Sequence, residues 1–93
     1  MLAIVKLALR LTTTAFDSEI QDLIQACYED LRLCGVIINP ADETNPLVKR
    51  AVITYCRAHF GEIEDGQYDR LKRSYDEQKA QLQASQAWTV ATL

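Results

Sequence analysis

Seven side chains, Ile20, Leu23, Ile24, Cys27, Tyr28, Leu31 and Cys34, recur at helical i, i+3, i+4, i+7 spacing. A strand would scatter them over two faces, whereas a helix gathers them into one stripe. The expected helix, residues 17–34, has 18 residues and a length of about 27 Å. Asp17, Glu19 and Asp22 place negative charge at its start, where the helix dipole is positive. Thr14 or Asp17 is expected to accept a capping hydrogen bond there, and Gly35 to end the helix by tolerating positive φ.

A second strong signal is Asn45-Pro46. Asn caps free N–H groups, and Pro at the first helical position lacks only a donor that had no partner. Leu47, Val48, Ala51, Val52, Tyr55, Cys56 and Phe60 then form the buried face of the next helix, closed by Gly61. Before these two core helices, residues 2–11 predict a short amphipathic helix with Lys6 and Arg10 on one face. After them, residues 67–84 predict an amphipathic C-terminal helix with a sparse apolar line, Tyr68, Leu71, Tyr75 and Leu82. Arg73 is placed to pair with Asp69 and Glu77 on its wet side. Val36-Ile37-Ile38 reads as a loop leg over the core or a short strand. The expectation is an all-α, compact bundle of about four helices.

Length and composition agree. With 93 residues, 48% of them apolar, the chain makes one domain, placed at residues 1–84. Residues 85–93 carry no evident stripe and are expected to be a flexible tail holding the only tryptophan, Trp88. Cys27, Cys34 and Cys56 are odd in number and form no C-x-x-C pair, so they read as buried thiols of a reducing compartment. Lys6 and Arg10 interrupt the apolar start before it becomes a signal sequence, and no run reaches membrane-spanning length, so assembly in a cytoplasm is expected.

Candidates for chemistry are few. His59 lies three residues after Cys56, the geometry of a Cys-His pair, but no phosphate-binding glycine loop or strained nucleophile turn accompanies them. His59 reads as a structural cation at a helix C-terminus and Cys56 as a buried thiol. The acidic clusters Asp17/Glu19/Asp22 and Glu62/Glu64/Asp65 lack the glycine and spacing of a calcium loop. No catalytic residue, metal site or cofactor is therefore expected.

Charge divides by segment. Residues 1–16 carry a net +2, 17–45 a net −6, 46–60 a net +3 and 61–93 a net −2, against −3 for the whole. Lys49 and Arg50 stand in the first turn of the third helix, where the dipole disfavours cations by about 0.3–1 kcal/mol each. Their compensation comes from Asp42 and Glu43 in the preceding loop, from an acidic surface of a neighbouring subunit, or from nucleic-acid phosphate. The net charge argues against duplex binding as the main activity. The 11 residues from Gly35 to Asn45 also exceed the short turn of a helix-turn-helix. A small helical DNA-binding or regulatory module is the alternative reading.

The order of segments carries a resemblance. The Thr-rich link into Phe16-Asp17-Ser18-Glu19-Ile20-Gln21-Asp22-Leu23-Ile24, the start Asn45-Pro46-Leu47-Val48-Lys49-Arg50-Ala51-Val52, and Tyr68-Asp69-Arg70-Leu71-Lys72-Arg73-Ser74-Tyr75 resemble the small head-tail connector proteins of tailed bacteriophages and prophages. These are also labelled head-completion or DNA-packaging proteins. The likeness covers about residues 2 to 84. It implies a structural virion protein whose copies form a ring, commonly twelvefold, under the portal of a filled head. Double-stranded DNA would pass through the ring without specific binding, and a downstream connector or tail protein would dock on it. No active-site residues come with the resemblance. Candidate contact residues, chosen from charge and aromatic character, are Asp22, Glu29, Lys49, Arg50, Arg70, Arg73 and Trp88.

Overall fold

Four helices follow one another in the computed structural model: α1 (Leu2–Ala8), α2 (Asp17–Leu33), α3 (Pro46–His59) and α4 (Asp65–Thr92). The structure describes residues 1–38, 45–61 and 63–92, with side-chain surroundings through residue 84. Among the described residues there is no strand. The chain is thus the expected all-α bundle, and the leg Val36–Ile38 is coil that covers the core with Val36 buried.

Local chemistry fixes the start of α3 and the end of α2. Asn45 Oδ1 accepts from the N–H groups of Leu47 (3.0 Å) and Val48 (3.3 Å), with Pro46 as the first helical residue. At the end of α2, the N–H of Gly35 donates to Arg32 O and that of Val36 to Leu31 O. With Gly35 at φ +85°, this is a Schellman closure, and its apolar clasp joins buried Leu31 to buried Val36.

The start of α2 departs from expectation. Its N-cap is Phe16, and neither Thr14 nor Asp17 supplies a capping side chain. Asp17 is instead the first helical residue and bridges Lys6 of α1 at 2.7 Å. An ion pair that ties two helices together has displaced the local cap. α1 also stops at Ala8, short of the expected residue 11, because Arg10 takes φ +59° and turns the chain back. Arg57 of α3 donates to Ala8 O at 3.3 Å, placing a cation at the negative end of α1.

The core is drawn chiefly from α2 and α3: Ile20, Ile24, Cys27, Tyr28 and Leu31 meet Val48, Ala51, Val52 and Cys56. Val5 of α1 and Tyr75 and Leu82 of α4 complete it. Each large aliphatic side chain buried here stabilises the fold by about 1.5–3 kcal/mol before entropy is counted. Phe16, just before α2, meets Phe60, just after α3, edge to face with centroids 5.5 Å apart, so α2 and α3 run antiparallel. Tyr55–Tyr75 and His59–Tyr68 ring contacts set α4 antiparallel to α3.

α4 differs most from the sequence expectation. It begins at Asp65 and continues to Thr92, eight residues past the expected end at residue 84. Ala84, Ala87, Trp88 and Ala91 fall at i, i+3, i+4, i+7, so the segment read as unpatterned does carry a helical stripe. Three of the four are alanines, strong helix formers that give almost no hydrophobic signal.

Candidate interaction surfaces

A polar seam joins α4 to α2. The Tyr75 hydroxyl donates to Asp30 Oδ2 at 2.6 Å, and Lys79 Nζ lies 3.3 Å from the same oxygen. Cys27 Sγ is 3.7 Å from the Tyr75 hydroxyl, and the Lys79 ammonium sits 5.2 Å from the Tyr75 ring centroid. One turn further, Gln83 Nε2 donates to Cys34 O at 2.7 Å, at the C-terminus of α2. Burial would push the Asp30 carboxyl up, but the hydrogen bonds from Tyr75 and Lys79 outweigh it and hold it below its ordinary value. Burial likewise opposes the charge on Lys79, and Asp30 more than restores it. The Tyr75 phenol is kept protonated by burial first and then by its bond to Asp30.

Beside this seam Tyr55, His59, Tyr68 and Lys72 line a half-open depression of about 190 Å³. His59 is exposed, its ring tilted over Tyr55 at 4.4 Å and edge-on to Tyr68 at 5.8 Å. Cys56 is fully buried, and burial pushes its thiol up to about 12. Cys27 is held at a similar value, burial again being the largest cause. Burial thus keeps both thiols protonated near neutrality, and Cys56 is part of the core between α2 and α3. Among the described residues no cluster of three or more His, Cys, Asp or Glu is set to hold a metal ion.

The structure distributes the charged contact candidates over the surface without joining them into one site. Asp22 is exposed on α2, and Glu29, seven residues on, shares its face and pairs with Arg32. Arg50 is exposed and Lys49 half-buried at the start of α3. Their expected compensators, Asp42 and Glu43, lie outside the described residues. Arg70 and Arg73 are exposed on α4. Arg73 does not form the expected ion pairs with Asp69 and Glu77; α4 is laced instead by Lys72–Asp76 and Lys79–Asp76. The backbone of Trp88 is helical, and its side chain lies outside the described residues.

Apolar surface went unnoticed in the charge-led choice of candidates. Leu7 is 80% exposed on α1, and Leu33 is 85% exposed at the end of α2. Leu2, Ala3, Lys6, Leu7 and Leu11 line a shallow groove of about 350 Å³. The signal was present in the sequence: Lys6 is the only charge in α1. A helix apolar nearly all round cannot bury every face on a small bundle.

A protein-family model described as phage connector protein matches residues 1–89. No curated protein and no solved structure matches the chain.

Proposed function

Because this chain belongs to the phage connector protein family, we propose that it is a ring-forming head-completion component, joining the portal of a filled head to the tail. Membership makes it a phage structural protein that meets other head or tail proteins. The finer reading is that copies assemble in the virion under the portal, commonly as twelve, and continue the DNA channel. The next connector or tail protein then docks on that ring.

The observation that carries this reading is the family match over nearly the whole chain, and the physical features support it. A ring needs heterologous contact, one patch against a different patch on the next copy. Acids stand in the first turns of α2 and α4, whereas the first turn of the antiparallel α3 carries Lys49 and Arg50 and no acid. The helix starts at the two ends of the bundle therefore differ in charge. Asp22, Glu29, Lys49, Arg50, Arg70 and Arg73 are the charged residues proposed for contacts between subunits or with the portal, with Trp88 as an aromatic anchor. A net charge of −3 per copy, repeated around a channel, repels the passing DNA backbone and keeps it from adhering.

The test is a null allele of the gene in the phage or prophage that encodes it. DNA-filled heads without tails should accumulate, and supplying the chain in trans should restore tailed particles containing it. Normal tailed particles from the null strain would overturn the reading. In a gel shift near physiological salt, tight salt-sensitive binding of duplex DNA would favour the DNA-binding module instead.

A further inference from the structure

The last eight residues of α4 continue past the ends of α2 and α3. Tyr55 of α3 packs on Tyr75 of α4, and the two helices are antiparallel. Pro46, where α3 begins, lies nine residues before Tyr55, and nine residues after Tyr75 is Ala84. The bond from Gln83 to Cys34 O marks the end of α2 at the same level. Residues 85–92 therefore run about 12 Å past both neighbours. The whole of α4, 28 residues and about 42 Å, matches the 44 Å longest dimension of the molecule.

This projecting helix holds no charged residue, the last one being Lys79, and its stripe of Ala87, Trp88 and Ala91 continues from Ala84. The last turn contains no basic side chain of its own to offset the negative end of the helix dipole. The groove on α1 has the complementary character: apolar Leu2, Ala3, Leu7 and Leu11, with Lys6 in its wall and exposed Arg10 nearby. α1 is fastened at the far end of the bundle, by Lys6 to the start of α2 and by Arg57 near the end of α3. The 17 residues of α2, about 25 Å, separate the groove from the projecting helix. A chain cannot fill its own groove.

We propose that residues 85–92 of one copy lie in the α1 groove of a second copy, so that copies join head to tail through a donated helix end. The inference rests on the reading of the chain as an assembly component whose copies meet, and adds which surfaces meet. The contact is heterologous, each copy offering one helix end and one groove. It propagates until the rotation per copy closes a ring. Trp88 supplies the large buried area that such contacts need at their centre.

Trp88 is the only indole, so its emission reports this contact directly. Raising the concentration of the full chain should shift the emission to the blue in step with mass, and Leu7→Glu should abolish both changes with the far-ultraviolet circular dichroism unchanged. Chains carrying Leu7→Cys or Trp88→Cys, each with Cys34→Ser, should oxidise to a dimer only when mixed. The same pair should cross-link in particles assembled from both variants. Absence of the mixed cross-link in solution and in particles overturns the proposal. So does a Trp88→Cys chain that cross-links chiefly to itself, since that is tail-to-tail contact. If the cross-link fails while particles still contain the chain, the donated helix alone is wrong. If particles lack the chain, the connector reading falls with it.

Discussion

Gly35, at φ +85°, has nothing within 4 Å of the position a Cβ would take. The cost of Gly35→Ala is then backbone strain with no clash, about 1–2 kcal/mol. Urea denaturation should show that loss with an unchanged slope. The three cysteines differ by burial in a way their spacing does not reveal. Cys27 and Cys56 are fully buried with thiols raised to about 12, while Cys34 is half-buried. A thiol reagent at neutral pH should label Cys34 well before the other two, which should react only at the rate of unfolding. Equal labelling of all three in the native protein would contradict this core. Helical register put all three cysteines inside, which holds for Cys27 and Cys56; Cys34, at the C-cap of α2, is only half-buried. Asp17 was legible only as a capping residue, because its partner Lys6 is brought near by the fold.

The docking of α4 depends on a polar seam as well as on Leu82. Asp30 titrates below its ordinary 3.8 in the folded chain, so its contribution is present above about 3.8 and is lost as pH falls through the lower folded value. Lys79 titrates above its ordinary 10.5, so its contribution is full below that value and is lost as pH rises through the folded one. The contribution of this pair should be flat between these limits, while the buried Cys27 and Cys56 thiols, raised from 9.0 to about 12, make the stability of the whole protein begin to fall above about pH 9. Tyr75→Phe keeps the ring against Tyr55 but removes the donor to Asp30. We expect a loss of about 1 kcal/mol, below the usual range for a bond to a charged group because water reaches the 38%-exposed carboxylate. The variant should also have a flatter acid limb, since its Asp30 pKa moves back towards the ordinary one. A steeper acid limb would contradict the geometry. Sequence marked Tyr75 as an apolar stripe position; its role as a hydrogen-bond donor across 45 residues of chain was not legible.

At the scale of the molecule, α4 outruns the ends of the two helices it packs beside. Among the residues whose surroundings the structure describes, Leu82 is the last buried one, and α4 runs on past it to Thr92. A chain ending at Ala84 should therefore unfold within about 0.5 kcal/mol of the full chain, as surface changes do. It should lose helical circular dichroism corresponding to the missing turns and lose its concentration-dependent mass. A large loss of monomer stability on this truncation would mean that the end of α4 packs on its own bundle. Dilute salt titrations of the full chain separate the two kinds of contact: charged end-to-end contacts weaken as salt rises, whereas an apolar helix in a groove does not.

Periodicity, capping chemistry and glycine placement are local properties, and from them alone the chain's helical class, its two core helices, the Asn45 start and the Gly35 stop could be read. The segment order also carried the family. What only the packed structure decided is how far each helix runs and what lies beyond it. An alanine-rich stripe has helical propensity without hydrophobic contrast, so the eight residues past 84 looked patternless until the backbone placed them in α4. The pairing of Lys6 with Asp17 and of Tyr75 with Asp30, and the opposite ends at which the α1 groove and the end of α4 stand, come from antiparallel packing of segments distant in the chain. Contacts of that range depend on where the core brings helices together, a property no window of sequence contains.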